Sequence, residues 1–259
     1  MDFFSAYFRH NVTPAIIAGP CVIEDRDMAL RHAELLSEAM TGLSWIWKSS
    51  YDKANRTSIH SFRGVGIERG LGILAEIKEQ FGIPVLTDVH SPAEATLAAE
   101  VVDMIQVPAF LCRQTDLLVA AGQTQKPVNL KKGQFLSGQQ MAYAAEKVAT
   151  TGNKQITLTE RGSSFGQGNL VVDFRDIVDM KALSYPVIFD ATHSVQLPVA
   201  EASTRGQRQF VEPLAAAALA VGVHGLFFEV HENPAKALSD KETQIPLADF
   251  RPMLDRLFS

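Results

Sequence analysis

The segment Ser44-Trp45-Ile46-Trp47-Lys48-Ser49-Ser50 joins a short apolar run directly to a polar, basic loop. An apolar run of this length and aromatic content predicts that its first four residues form a buried β-strand. The cations Lys48, Lys53 and Arg56 follow at once, with hydroxyl side chains and an amide between them. Ammonium, guanidinium and hydroxyl groups together suit phosphate or carboxylate. The segment therefore predicts a strand that ends in an anion-binding loop, with a solvated basic loop as the alternative.

The same order of apolar run and polar loop recurs along the chain. The apolar runs lie at 15–18, 44–47, 83–86, 104–107, 127–130, 156–159, 186–189 and 225–228. The segments between them predict helices at 27–40, 66–81, 92–101, 111–124, 139–150, 207–221 and 247–258. Eight strand–helix units in a chain of this length are typical of a (β/α)8 TIM barrel. We therefore predict this α/β fold, with residues 1–259 as a single catalytic domain.

A doubly wound open sheet is the alternative α/β fold. Its usual fingerprint is a Gly-x-Gly-x-x-Gly turn between a strand and a helix. The nearest match is GVGIERG at 64–70, which has Arg69 at the position of the third glycine and follows no predicted strand. No linker or low-complexity tract interrupts the strand–helix pattern, which favours the barrel.

Composition argues against several classes of function. The 259 residues are 46% hydrophobic and 20% charged, with a formal net charge of −5. General nucleic-acid-binding proteins carry a basic surface, so this acidic balance disfavours them. No apolar run reaches membrane-spanning length, and the first residues lack the basic-then-apolar order of a signal peptide. We expect a cytoplasmic protein without a nucleic-acid or membrane partner, in which Cys21 and Cys112 form no disulfide framework.

The barrel prediction can be tested in the sequence, because the active sites of such barrels lie at the carboxyl ends of the strands. Seven of the eight runs are followed by side chains suited to chemistry. These are Cys21, Glu24, Lys48, Ser50, Lys53, Asn55, Arg56, Asp88, His90, Lys131, Lys132, Glu160, Arg161, Asp190, His193, Glu229 and His231, and the fourth run carries Gln106. The residues before the runs, such as Gly82, are plainer. This polarity predicts an enzyme and not a structural scaffold.

Five cations make up one group within this set. Lys48, Lys53, Arg56, Lys131 and Arg161 are more than a single small anion requires. We therefore expect two phosphorylated or carboxylated ligands.

A second group predicts a metal site. Cys21, His193 and Glu229, with Asp240 as a fourth candidate, come from the first, seventh and eighth units. These units become neighbours when a barrel closes. A thiolate, an imidazole and carboxylates indicate a divalent transition metal, with positions left for water or substrate. Simple packing is the alternative for Cys21 taken alone.

Several motifs resemble those of the 3-deoxy-D-manno-octulosonate 8-phosphate synthase family. They are AGPCVIE (18–24), the loop 48–58, PVLTDVH (84–90), QVPAFLCRQT (106–115), NLKKGQF (129–135), DATHSVQ (190–196) and FEVHENP (228–234). The resemblance covers about residues 15–248. KANRTS at 53–58 is its most specific part, because the related heptulosonate-phosphate synthases usually carry a Lys-Pro-Arg-Thr motif there. The resemblance implies a (β/α)8 homotetramer that condenses phosphoenolpyruvate with D-arabinose 5-phosphate and releases inorganic phosphate, on the way to lipopolysaccharide.

The resemblance also implies roles for individual residues. Around phosphoenolpyruvate it places Lys48, Ser50, Lys53, Gln106, Lys131 and Arg161. Asn55 and Arg56 would face the arabinose phosphate, and Arg113 would reach that phosphate from a neighbouring chain. Asp88 and Gln196 are further substrate-binding candidates. The candidates for proton transfer and catalysis are Lys48, Lys131, His193 and Asp240, and the sequence does not rank them.

Cys21 resembles the metal-requiring branch of this family, whereas Asn at this position marks the metal-independent branch. The residues after Asp240, Lys241-Glu242-Thr243-Gln244, also differ from the Gly-Pro-Asn of the metal-independent branch. The implied cofactor is a divalent metal ion. Zinc, iron, manganese and cobalt all suit sulfur, nitrogen and carboxylate ligands, so its identity stays open.

Two other functions remain as alternatives. One is a related enolpyruvate condensation with erythrose 4-phosphate or an amino sugar as acceptor, which the Asn55-Arg56 pair disfavours. The other is a non-catalytic sugar-phosphate sensor, which has no need of a thiolate–imidazole–carboxylate cluster beside its anion pocket.

Overall fold

The computed structural model describes residues 3–8, 13–166, 168–197 and 205–259. All eight predicted strands are present, within one to three residues of their expected ends. They are β1 (Ala15–Gly19), β2 (Trp45–Lys48), β3 (Val85–Asp88), β4 (Met104–Val107), β5 (Val128–Lys131), β6 (Ile156–Glu160), β7 (Val187–Asp190) and β8 (Gly225–His231). Each strand pairs in parallel with the next in chain order, and β8 pairs with β1. The sheet closes, which confirms the predicted (β/α)8 barrel.

Helices surround the barrel. They are α1 (Phe3–Phe8), α2 (Arg26–Ala39), α3 (Ile67–Phe81), α4 (Pro92–Ala99), α5 (Thr115–Gln123), α6 (Met141–Ala149), α7 (Phe174–Ala182), α8 (Val211–Val221) and α9 (Leu247–Leu257). The sequence analysis did not predict α1 or α7. Helix α7 is short and rich in charged residues, and it buries only Asp176, Ile177 and Met180. Such a narrow apolar stripe gives a weak periodic signal.

Local capping explains where several helices begin and end. The Asp25 side chain accepts a hydrogen bond from the backbone nitrogen of Met28 (2.8 Å) at the start of α2. Ser91 caps α4 in the same way, and Pro92 occupies its first turn. Gly82 ends α3 in the left-handed conformation, with φ of 63°, which glycine adopts without a steric penalty. None of the helices in the described part of the chain has the length and apolarity that a membrane crossing requires.

Side chains on the barrel strands alternate between the outer helices and the interior. The outward residues pack against the helices in one large hydrophobic cluster. The inward residues near the amino ends form a second cluster with Phe8 of α1; its strand members are Ala15, Ile17, Ile46, Leu86, Met104, Ile188 and Phe227. The next inward residues, nearer the carboxyl ends, are mostly polar and buried, including Lys48, Asp88, Gln106, Lys131, Asp190 and Glu229. One strand periodicity therefore builds both an apolar plug and a polar site.

Candidate active site

A cavity of about 660 Å³ opens at the carboxyl ends of the strands. This volume is within the range of sites that hold small ligands. Its lining includes most of the residues predicted from the sequence, namely Lys48, Lys53, Asn55, Arg56, Asp88, Gln106, Lys131, Arg161, His193, Gln196 and Asp240. Cys21, Ser50 and Glu229 are fully buried. Each of them contacts the lining: Cys21 contacts Ser239, Ser50 contacts Lys48, and Glu229 lies beside His193.

Strands β2 and β3 place a lysine beside a carboxylate. Lys48 Nζ donates to Ser50 Oγ (2.9 Å) and lies 3.4 Å from Asp88 Oδ1. Ser50 donates to the same carboxylate, and His90 Nε2 lies 3.2 Å from Asp88 Oδ2. Burial would raise the pKa of Asp88, but Lys48 and His90 hold it well below its ordinary value. Asp88 is therefore an ionised group that fixes Lys48 at the cavity wall.

Strands β5 and β7 form a second lysine–carboxylate pair. Lys131 Nζ contacts the Asp190 carboxylate and lies 3.7 Å from the centroid of the Phe227 ring. Burial lowers the pKa of Lys131 to about 8, against the opposing effect of Asp190. His193 Nδ1 lies 2.8 Å from Asp190 Oδ2. Asp190 Oδ1 also accepts a hydrogen bond from the His193 backbone nitrogen (2.9 Å), so Asp190 contacts both Lys131 and His193, a role that the sequence does not predict.

Arg161 is a buried cation whose donors are not all used. Its Nη2 donates to Gln196 Oε1 (2.9 Å). Its Nη1 is buried without a hydrogen-bond partner among the described residues. Burial also lowers the pKa of Arg161. An unpaired guanidinium nitrogen in a cavity wall costs free energy, which an anionic ligand would offset.

Cys21, Glu229 and Asp240 form a group that can hold a metal ion, since one ligand atom of each lies within 4.8 Å of the others. Both Glu229 carboxylate oxygens are buried and have no hydrogen-bond partner in the described structure. His193 Nε2 lies 3.4 Å from Glu229 Oε1 and 3.7 Å from Asp240 Oδ2. An ionised carboxylate in this position is unfavourable unless a cation faces it. The nearest lysine nitrogen, Lys53 Nζ, lies 3.8 Å from Glu229 Oε1. The donor set fits a divalent metal ion.

The thiol of Cys21 has the environment of a metal ligand and not of a free nucleophile. Burial, reinforced by the Asp240 and Glu229 carboxylates, raises the pKa of the Cys21 thiol well above its ordinary value. A thiolate at this position therefore needs a strong cation beside it, such as a metal ion.

Two residues that the sequence analysis did not select tie Cys21 to the loop that carries Asp240. Cys21 Sγ donates to Ser239 Oγ (2.9 Å). The Gln244 amide accepts from the Cys21 backbone nitrogen (3.2 Å) and donates to the Ser239 carbonyl (2.8 Å). Ser and Gln are common residues, so their presence alone does not predict a functional site. The sequence signal for Ser239 and Gln244 is their position near Asp240.

The mouth of the cavity brings the loop after β2 against the loop after β8. Arg56 donates from Nε to the Phe62 carbonyl (2.9 Å) and from Nη2 to the Leu238 carbonyl (3.2 Å). Asn55 is exposed beside it. Arg113 is also exposed, and it is not part of the lining of this chain's own cavity.

Lys132 and Glu160 were included among the chemistry-bearing residues, but they do not line the cavity. Lys132 Nζ is buried, donates to the Leu136 carbonyl (2.9 Å) and Ser163 Oγ (2.8 Å), and lies 3.5 Å from Glu160 Oε2 and 3.3 Å from Asp176 Oδ2. This cluster joins β5 and β6 to α7 behind the site. Sequence position at a strand end does not reveal this difference, because adjacent residues point in opposite directions.

Comparison with known proteins agrees with this architecture. A family model described as "DAHP synthetase I family" matches residues 10–256. The chain is 57% identical over 245 residues to a Trichlorobacter lovleyi protein named 2-dehydro-3-deoxyphosphooctonate aldolase, covering 93% of this chain and 90% of the relative. Proteins of the same name from Syntrophobacter fumaroxidans and Geobacter sp. are 56% and 54% identical over 245 and 248 residues, covering 93% and 95% of this chain and 85% and 91% of the relatives. A match that spans nearly the whole barrel shows that the chain belongs to the DAHP synthetase I family.

Proposed function

We propose that this chain condenses phosphoenolpyruvate with D-arabinose 5-phosphate and water, giving 3-deoxy-D-manno-octulosonate 8-phosphate and inorganic phosphate for lipopolysaccharide precursor synthesis. The name shared by the relatives, 2-dehydro-3-deoxyphosphooctonate aldolase, supports the product. The observation that carries the proposal is a cavity lined by several buried cations and by Asp240, which forms with the buried Cys21 and Glu229 a group able to hold a metal. A sensor of sugar phosphates would require only the cations.

The inner cations of the cavity suit phosphoenolpyruvate. Lys48, Lys53, Lys131 and Arg161 all lie in the wall of the cavity, and Arg161 has a donor without a partner among the described residues. Phosphoenolpyruvate carries its phosphate and its carboxylate on the same carbon atom, so it requires several cations close together. Gln106 adds an amide to this wall. We assign these residues, with Ser50 and Asp88 holding Lys48, to phosphoenolpyruvate.

The outer part of the cavity suits the sugar phosphate. Asn55 and Arg56 line it, and Arg56 contacts Leu238, two residues before Asp240 of the metal-binding group. Arg56 has donors fixed by two carbonyl groups, which holds its guanidinium at the mouth. We assign Asn55 and Arg56 to D-arabinose 5-phosphate.

In the proposed reaction, carbon 3 of phosphoenolpyruvate forms a bond to the aldehyde carbon, whose oxygen becomes a hydroxyl by taking up a proton, and water adds to carbon 2 as hydroxyl and releases that proton. The carbon–oxygen bond to phosphate then breaks, releasing inorganic phosphate. Lys131 and Arg161 hold the negative charge of the phosphate, and Asp190 lies beside His193, whose Nε2 faces the metal-binding group. A divalent metal held by Cys21, His193, Glu229 and Asp240 would supply Lewis acidity toward the aldehyde oxygen.

Phosphate release tests this proposal. We expect release from phosphoenolpyruvate with D-arabinose 5-phosphate, and far slower release with erythrose 4-phosphate or with no sugar. Mass spectrometry should identify one eight-carbon acid phosphate for each phosphate released. Equal release with all three additions would contradict the assignment, and preference for erythrose 4-phosphate would support the related condensation instead.

We further propose that the enzyme is a cytoplasmic homotetramer whose chains each form one catalytic domain, and that Arg113 completes the site of a neighbouring chain. The exposed position of Arg113, outside its own cavity, supports this role. Mixing inactive Arg113→Ala chains with inactive Lys131→Ala chains should restore activity, because a hybrid interface can contain one intact site. No recovery despite confirmed hybrid formation would contradict the shared site.

A further inference from the structure

A set of polar side chains crosses three adjacent strands inside the barrel. Gln106 of β4 is the register partner of Asn129 of β5, and Asn129 is the register partner of Thr157 of β6. Asn129, Thr157 and Thr159 are each 0% exposed, while Gln106 lines the cavity. At the amino end of the barrel, the inward-facing strand residues are apolar. The polar set therefore requires a reason beyond packing.

The hydrogen bonds of this set determine which way each amide points. The Thr157 and Thr159 hydroxyls both donate to Asn129 Oδ1, at 2.9 and 2.6 Å. If the Asn129 amide were turned over, both buried hydroxyl protons would face its NH₂ group and each would need another acceptor. The two threonines therefore fix Asn129. Asn129 Nδ2 in turn donates to Gln106 Oε1 (3.1 Å).

The orientation of Gln106 follows from this relay. With its oxygen occupied by Asn129, the NH₂ end of the Gln106 amide is left for the cavity, where it has no partner among the described residues. An NH₂ group donates to an anion, whereas a carbonyl oxygen repels one. A glutamine without the relay can present either end.

We propose that Asn129 is a positioning residue that locks Gln106 with its NH₂ group toward an anionic substrate. This inference rests on the proposed function, which places phosphoenolpyruvate against Gln106. It adds Asn129, Thr157 and Thr159 to the residues that determine substrate affinity, although none of them lines the cavity.

A double-mutant cycle tests the relay, with calorimetry measuring the Kd for phosphoenolpyruvate on the metal-loaded, full-length protein. Asn129→Leu is similar in volume and neutral, and Gln106→Met removes the amide that Asn129 orients. We expect Gln106→Met to raise the Kd by roughly tenfold, the size of one lost hydrogen bond to a charged group. Asn129→Leu should raise it by about two- to tenfold, because the unlocked Gln106 amide then presents its oxygen for part of the time. The double variant should bind no more weakly than Gln106→Met alone, because Asn129 acts through Gln106.

Asn153→Leu is the matched control. Asn153 is equally buried, at 1% exposed, and its amide donates to the carbonyls of Gly122 and Lys126, outside the cavity lining. Its replacement should lower stability and leave the Kd unchanged. If Asn129→Leu does not fold, adding Thr157→Val and Thr159→Val removes the stranded hydroxyls, and the same loss of affinity is expected from this triple variant.

The outcomes separate the inference from the function on which it rests. Unchanged affinity of Asn129→Leu, or full additivity in the cycle, beside a wild-type chain that binds phosphoenolpyruvate, would overturn the relay alone. Failure of the wild-type chain to bind phosphoenolpyruvate would overturn the proposed function and the relay with it.

Discussion

At the amino end of the barrel, the inward side chains Ile46 and Leu86 pack in an apolar cluster with Phe8, whereas two residues further along the same strands lie Lys48 and Asp88. The amino end is filled with apolar side chains, which contribute only by packing against one another. The carboxyl end contains buried charges, and among the described residues the Arg161 guanidinium has an unpaired nitrogen and the Glu229 carboxylate accepts no hydrogen bond. Both ends are built by the same alternation of side chains along parallel strands.

This difference indicates that the two ends contribute unequally to stability and to activity. Burial of apolar surface at the amino end stabilises the fold. Burial of unpaired polar groups at the carboxyl end opposes it, and the proposed substrates and metal ion would satisfy these groups. Substitutions at the amino end should therefore change stability more than activity, and substitutions at the carboxyl end should change activity more than stability.

Phe8→Ala should produce the largest change and should act on stability. Phe8 is 3% exposed within the apolar cluster. Its truncation leaves a cavity and should lower the free energy of unfolding by about 3–5 kcal/mol. The Michaelis constants and kcat, measured below the unfolding transition, should stay within about twofold of wild type, because no cavity-lining group is touched. Chemical denaturation measures the first quantity and phosphate release the others. Tyr143→Ala, at a side chain that is 69% exposed, is the control and should change neither. Loss of activity without loss of stability in Phe8→Ala would contradict the division.

Arg161→Met should show the opposite profile. It removes a buried cation that has an unpaired donor, so the free energy of unfolding should be unchanged or higher by about 1 kcal/mol. The value of kcat/KM for phosphoenolpyruvate should fall by roughly 10²–10³, as when a preorganised donor to a developing charge is removed. Steady-state kinetics and denaturation curves on the same preparation test both parts. Arg175→Met, at a side chain that is 89% exposed, should leave both quantities near wild type. A strongly destabilised but active Arg161→Met chain would show that Arg161, at the carboxyl end of the barrel, serves stability and not activity.

The pH dependence of substrate affinity sharpens the comparison further. Lys131 has a pKa of about 8 because of its burial, so it is charged below pH 8 and loses its charge above. The phosphate of the substrate is already fully ionised there. The Michaelis constant for phosphoenolpyruvate should therefore be lowest below pH 8 and rise above it, approaching about tenfold per pH unit. Lys131→Arg keeps its charge throughout, so its Michaelis constant should not rise in this window. A flat wild-type profile between pH 7 and 9.5 would contradict the role of Lys131.

The barrel strands and their order could be predicted from the sequence, because they depend on apolar runs of regular length. Helix α1, whose Phe8 packs at the amino end, was not predicted. The positions of Lys48, Asp88 and Lys131 at the cavity also followed from strand ends. The relations between distant residues could not be predicted. Cys21 and Ser239 lie 218 positions apart, and only the folded chain brings their side chains together. Asn129 was not predicted as a functional residue, because a buried polar relay leaves no periodic signal in the sequence.

The metal dependence of activity tests the central claim about the carboxyl end most directly. Exhaustive chelation, with metal content followed by elemental analysis, should remove metal and phosphate release together, and a divalent transition metal should restore both. Cys21→Ala should regain neither, because Cys21, Glu229 and Asp240 supply the ligand atoms of this group. Cys21→Asn, which replaces the thiol by an amide able to orient the aldehyde by hydrogen bonding, should keep some chelator-resistant activity. Full activity of the wild-type chain, with the absence of metal verified, would contradict the claim and reduce Cys21 to a packing residue.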